Sequence, residues 1–191
     1  LQNDGINVVN KPVISLVPKA ENWPQDFIDE KVSRSQWPYL VLTSPFAAKC
    51  AIKVAQENGD INRIQWLAIG EGTARACFKK GVTVSICAKA RNSVELAEYI
   101  EANISCKTKL MLPRSDVAPG YLLERLQKFG FEVEFWVGYE NKSKTIEPFE
   151  VGENDVLLLS SPSSARSWLE NSLPIPRNIL CMGKSSQEEI Q

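Results

Sequence analysis

Short apolar runs recur along the chain, each followed by polar residues and then by a stretch in which apolar positions return at helical spacing. Continuous or alternating apolar patterning over so few residues suits a strand. It predicts strands at 13–17, 39–43, 66–69, 83–87, 109–112, 132–137, 155–159 and 178–182. Between them, three-to-four-residue recurrence predicts helices over 47–57, 73–80, 94–103, 119–129 and 164–171. Gly59, Gly81 and Gly130 are placed to stop three of these, because glycine reaches the left-handed conformation that ends a helix without a Cβ clash. Such alternation predicts an α/β fold with a parallel sheet. Two polar, proline-bounded stretches, Pro18 to Pro24 and Glu140 to Pro148, interrupt the pattern and read as connections between lobes.

The pattern also repeats. Thr43-Ser44-Pro45 is echoed by Ser160-Ser161-Pro162, and Gly70-Glu71-Gly72-Thr73 by Gly183-Lys184-Ser185-Ser186. Upstream, LQNDGINVVNKPVI at 1–14 is echoed by LQKFGFEVEFWVGY at 126–139. Order is kept while the offsets drift by a few residues, which is what two copies of one unit with different loop lengths give. The strand and helix at 110–125 then call for a counterpart before Leu1, and the first copy's continuation past Thr73 calls for one after Gln191. The complete protein is therefore expected to be longer.

Composition narrows the chemistry. The 191 residues are 43% hydrophobic and 24% charged, enough for one sizeable core or two small ones. With 22 Lys+Arg against 23 Asp+Glu, no general field draws nucleic acid or an anionic membrane, so an anionic ligand must be held locally. No apolar run reaches the roughly 18 residues of a membrane span. The five cysteines form no C-x-x-C pair, and mostly apolar surroundings predict buried, reduced thiols in a cytoplasmic protein. Histidine is absent, which removes Ser-His and Cys-His nucleophiles and makes a catalytic zinc or other metal site unexpected. Chemistry is left to carboxylates, Tyr, Lys, Ser/Thr and backbone dipoles.

A strand that ends in Ser/Thr-Ser-Pro and opens a helix presents free N–H groups and hydroxyls at the carboxyl edge of a parallel sheet, where ligands of open α/β sheets sit. The G-x-x-[TS] turns do the same. A single such turn is accounted for by capping, with Ser as N-cap and Pro as first helical residue. Four turns paired across two units favour a shared anion site, with the two Ser-Pro turns as opposite jaws of one cleft. Gly70-Glu-Gly-Thr-Ala-Arg75 lacks the third glycine of a dinucleotide fingerprint, and Gly183-Lys-Ser185 lacks the first glycine of a phosphate loop.

The ordered set [TS]-S-P-x-x-A, G-x-x-[TS], Leu112-Pro113-Arg114 before a helix ending in G-x-E-V, an aromatic-rich strand ending in Tyr139, and [TS]-S-P again resembles the uroporphyrinogen-III synthase family over essentially the whole chain. Ser186 departs from the threonine more usual there. The resemblance implies two similar, flavodoxin-like parallel-sheet lobes joined by a two-strand linker. It places residues 1–14 and 148–191 in lobe 1, 20–138 in lobe 2, and 15–19 and 139–147 in the linkers. It also implies a monomeric lyase that closes hydroxymethylbilane into uroporphyrinogen III, losing water and inverting the terminal ring, without a cofactor. The preceding pathway enzyme becomes a candidate partner, whereas nucleic acid and membrane do not.

Under the resemblance, Tyr139 assists departure of the hydroxyl as proton or hydrogen-bond donor, though a Tyr after an apolar strand also serves as a packing residue. Ser44, Thr73, Ser161, Ser163 and Ser186, with the turns at Gly70 and Gly183, match positions that bind the substrate's carboxylates. Arg114 could pair with one of them. Trp37, Trp66, Trp136 and Trp168 are expected in core or edge packing. Two other readings share the same turns: a non-catalytic module binding an acidic small molecule, and a regulatory protein that kept the fold.

Overall fold

The computed structural model describes residues 5–24, 37–57 and 61–191. Among these residues, eight strands, β1 (Ile14–Pro18), β2 (Tyr39–Leu42), β3 (Gln65–Ile69), β4 (Ile86–Ala88), β5 (Leu110–Ser115), β6 (Val133–Ser143), β7 (Val156–Leu159) and β8 (Asn178–Cys181), run among six α-helices. These are α1 (Pro45–Glu57), α2 (Gly70–Phe78), α3 (Ser93–Asn103), α4 (Tyr121–Phe129), α5 (Pro162–Glu170) and α6 (Lys184–Ile190). The chain divides into two compact units, residues 1–16 with 141–191, and residues 17–140. It passes from one to the other inside β1 and inside β6.

One sheet has the order β1-β6-β5-β2-β3-β4, and β2, β3, β4, β5 and β6 are mutually parallel where they pair. β1 runs against β6: Lys19 N–H donates to Gly138 O at 3.0 Å, and Lys144 N–H to Val13 O at 2.8 Å. Counted along the chain, the parallel strands of the 17–140 unit lie in the order 3-2-1-4-5, so successive strands are added first to one side of β2 and then, from β5 on, to the other. Counted from β5 the same order is 2-1-3-4-5, the flavodoxin arrangement in circular permutation. Alternate strand residues face opposite ways. Val41, Leu67, Leu110 and Leu112 meet Leu96, Ala97 and Ile100 of α3 and Leu122, Leu123 and Leu126 of α4. The intervening Leu40, Leu42, Trp66, Ala68 and Met111 are also buried, on the face where α1 and α2 pack together against β2, β3 and β5.

In the other unit β7 and β8 form a parallel pair. Leu157 and Leu159 join Val13, Ala165, Trp168 and Leu173 in a second core, while Val156 and Leu158 face outward. Ser167 Oγ ties this core to the first residues of the chain by donating to Val13 O at 2.6 Å.

Several expectations need correction. The strand foreseen at 132–137 continues through the polar Glu140-Asn-Lys-Ser143, because its pairing with β1 satisfies a backbone whose side chains are only half-buried. A sixth helix, α6, was not foreseen, since KSSQEEI offers too few apolar positions to show a helical period. Cys50 and Cys77 are buried as expected, but Cys87 and Cys106 are exposed and Cys181 is half-buried. The short strand β4 lies at the sheet edge, where a cysteine in an apolar run still meets solvent. Gly130 ends α4 in the left-handed region at φ 107°, as foreseen. Gly81 follows α2 at φ 77°, and Gly59 lies outside the described residues. Trp66, Trp136 and Trp168 are buried and Trp37 is partly so.

Candidate active site

In the 17–140 unit the turn after β2 is built around Ser44. Its Oγ accepts from Ala47 N–H at 3.0 Å, three residues into the helix, and Pro45 occupies the first helical position, where a missing N–H costs nothing. The same Oγ lies 3.1 Å from the hydroxyl of Tyr139. When Ser44 supplies the proton of that bond, the phenol keeps its own O–H to offer elsewhere.

Tyr139 is aimed there by an irregularity in the sheet. Arg114 pairs with Val137 and Ser115 with Tyr139, so Gly138 is the extra residue of a bulge. A Cβ at Gly138 would sit 3.3 Å from Pro113 Cβ, a tight contact, and 3.5 Å from the Trp23 ring, an ordinary one, so the close approach favours glycine. The Tyr139 ring meets Phe46 edge-on, centroids 5.1 Å apart, and is only 8% exposed. Burial raises the phenol's pKa above its ordinary value, the Ser44 hydrogen bond opposes this, and electrostatic coupling to Cys50 and Asp116 adds to the rise. At neutral pH Tyr139 is therefore a protonated donor.

Ser115 and Asp116 stand at the carboxyl end of β5, beside the point where strand order reverses; that crevice is where open α/β sheets bind ligands. Asp116 N–H donates to Tyr139 O at 3.2 Å, and Ser115 Oγ to Asp116 Oδ1 at 2.9 Å. Arg114 is half-buried and donates to Ala118 O, which folds the loop after β5 back on itself. Gly70 opens α2 at φ 65°, a conformation that favours glycine, and Thr73 is 2% exposed on that helix. Ser44, Tyr139 and the β5 end are thus brought together, whereas Thr73 reaches solvent only marginally. Asp116 was not singled out in the sequence, where an acidic residue after a strand marks only a turn; its place beside the reversal comes from the strand order.

In the other unit Ser161 caps α5. Its Oγ accepts from Ser164 N–H at 3.2 Å, while Ser164 Oγ accepts from Ser161 N–H at 3.1 Å, a reciprocal capping box. Ser163 Oγ lies 3.2 Å from Ser161 Oγ and accepts from Asn141 Nδ2 at 3.0 Å. Gly183 is the exposed N-cap of α6, and Ser186 on that helix is 3% exposed.

A groove of about 340 Å³ between α2 and β4, lined by Arg75, Phe78, Val84 and Cys87 among others, holds none of these residues. Among the described residues no group of three or more His, Cys, Asp or Glu could hold a metal ion, and no helix is long and apolar enough to cross a membrane.

Parallel strands that lead from their carboxyl ends into helices, two of them capped by a serine hydroxyl, define an α/β class with a mostly parallel sheet. Within that class the chain belongs to the uroporphyrinogen-III synthase family, whose model, described as uroporphyrinogen-III synthase HemD, matches residues 1–191. It is thereby a lyase of haem and porphyrin biosynthesis that acts on a small tetrapyrrole. Among solved structures it is similar to uroporphyrinogen-III synthetase from Helicobacter pylori, at TM-score 0.61 and 17% identity over 93% of this chain and 80% of that one. It is also similar to a mutant uroporphyrinogen III synthase from the extremely thermophilic bacterium Thermus thermophilus, at TM-score 0.53 and 12% identity over 94% and 77%. At these identities the structures establish the fold alone. A sequence comparison with curated proteins gives no significant match.

Proposed function

We propose that the reaction of this chain, closure of hydroxymethylbilane to uroporphyrinogen III with loss of water and inversion of the terminal ring, is carried by Tyr139 held against Ser44. The observation that carries this reading is the 3.1 Å Ser44–Tyr139 contact beside the reversal point of the sheet. The substrate's C–O bond breaks with both electrons on oxygen, and the phenol supplies the proton that lets the oxygen leave as water. The pyrrole nitrogen lone pair takes up the electron deficiency, leaving a cationic azafulvene. Holding this species for attack through a spiro intermediate, rather than simple end-to-end closure, is a matter of orientation.

The helix starts at Ser161–Ser163, Gly183–Ser186 and Gly70–Thr73 serve the substrate's carboxylates in this reading, with Arg114 as a further anchor. Ser44 and Ser161 hold equivalent positions in two copies of one duplicated unit in this reading. Supporting the duplication, Gly5 and Gly130, aligned in the repeat, both have positive φ, at 77° and 107°. Aligned Ser44 and Ser161 both cap a helix with Pro first, and aligned Thr73 and Ser186 are both buried. The linkers fall in this scheme at 15–19 and 139–147, and the setting is cytoplasmic.

The test is to supply hydroxymethylbilane and identify the isomer. Type III product above the uncatalysed background supports the reading; type I alone, as forms without enzyme, overturns it.

A further inference from the structure

We propose that Asp116 is a further determinant of the chemical step, its carboxylate set opposite the positive charge that develops on the substrate as water leaves. This inference rests on the reading of Tyr139 above.

The geometry is local to the 17–140 unit. Asp116 is the first residue beyond β5, and its backbone N–H holds Tyr139 O at 3.2 Å, so the two residues are coupled across the bulge at Gly138. Ser115, itself buried, fixes the carboxylate by donating to Oδ1 at 2.9 Å. Asp116 is nonetheless exposed, and its charge is felt at the Tyr139 phenol. A solvent-facing carboxylate, fixed by Ser115, is thus carried on the residue whose backbone bonds that of the proton donor, at the strand ends where open α/β sheets bind ligands.

A polycarboxylate substrate is repelled by that charge, so the corner beside Asp116 is a poor seat for any of its acid groups. It is a good seat for the one part of the molecule that becomes cationic. When the hydroxyl leaves, oxygen carries away the bonding pair and takes the Tyr139 proton, giving water, phenolate and azafulvenium. Ring closure and rearomatisation then release one proton from the substrate, which returns to the phenolate, so the enzyme is restored and the net loss is water. Asp116 gives up and gains nothing in this sequence. Its charge favours the cation over the neutral alcohol, a difference that appears only on the way to the transition state.

Asp116→Asn isolates the charge, because the amide oxygen can still accept from Ser115 and the backbone bond to Tyr139 is untouched. With hydroxymethylbilane as substrate we expect kcat to fall roughly 10-fold or more while KM stays level or drops, since one repulsion is removed. Asp116→Glu, which keeps the charge, should retain kcat within about 3-fold of the native protein, a loss too small for a removed transition-state interaction. An unchanged kcat in Asp116→Asn, a raised KM alone, or an equal loss in the Glu variant overturns the proposal. Should the Asn variant not fold, Asp116→Ser carries the same test. Tyr139→Phe in the same assay separates the two readings: unchanged turnover there removes Tyr139 from the mechanism, whatever the Asp116 variants do.

Discussion

The turn at Ser44 and the turn at Ser161 are spelled almost alike, and both place a serine N-cap before a proline. Their hydroxyls have different company. Ser44 Oγ leans on a buried phenol, whereas Ser161 Oγ is enclosed among the hydroxyls of Ser163 and Ser164, with Asn141 bonded to Ser163. Tyr139 and Asn141 are two positions apart on the same strand, β6. The two helix starts therefore have the same caps, and what β6 presents differs: a phenol at Ser44, an amide at Ser163. In the proposed reading that difference gives the Ser44 start alone a proton donor.

Removing that side chain's hydroxyl breaks the contrast most sharply. Tyr139→Phe should lower turnover of hydroxymethylbilane by roughly 100-fold with an unaltered circular dichroism spectrum, while Asn141→Ala should leave kcat within about 3-fold of native. Equal losses in the two variants would make the turns equivalent and refute the asymmetry.

The serines sharpen it next. Ser44→Ala and Ser161→Ala should each cost about 1 kcal/mol of stability by denaturant titration, as loss of a cap does. Only Ser44→Ala should also depress kcat, by several-fold, because Tyr139 loses the partner that orients it; Ser161→Ala should act on KM.

A smaller difference is expected in alkali. A phenol whose pKa is raised in the folded state contributes stability that is complete below its unfolded value, near 10, and that is lost as pH rises through the folded value. The native protein should therefore lose stability above about pH 10 more steeply than Tyr139→Phe, as read from melting temperature against pH.

The least costly check concerns thiols of the unit that carries Tyr139. Burial pushes Cys77 up to about 11 and also raises Cys50, so both should resist alkylation until the protein unfolds. Cys87 and Cys106, exposed, should react in the native state, as mass spectrometry of labelled peptides would show.

The alternation of strands and helices, the serine caps and the left-handed stop at Gly130 were legible because each depends on residues within a few positions of one another. Tyr139 was legible through family resemblance, its partner Ser44 through the repeat, but their contact joins residues far apart in sequence. The continuation of β6 through Glu140-Asn-Lys-Ser143 was hidden because a strand paired with β1 and half-covered need not be apolar. The bulge at Gly138 was hidden for a related reason: the residues that crowd the glycine, Pro113 and Trp23, are neighbours only after folding. Asp116 went unnoticed because an acidic residue after a strand ordinarily marks a solvated turn, and its significance comes from where strand order reverses.

The division of the chain also sets an order of events during synthesis. Residues 17–140 form one unit from contiguous sequence, whereas residues 1–16 share a unit with 141–191. On a ribosome adding about 5–20 residues per second, Val13 is added roughly 8–32 s before its partners in the second core, Trp168 and Leu173. The unit that holds Tyr139 can close while the chain is still growing. The unit that holds Ser161 must wait until α5 and Leu173 have been made, because its core joins them to Val13.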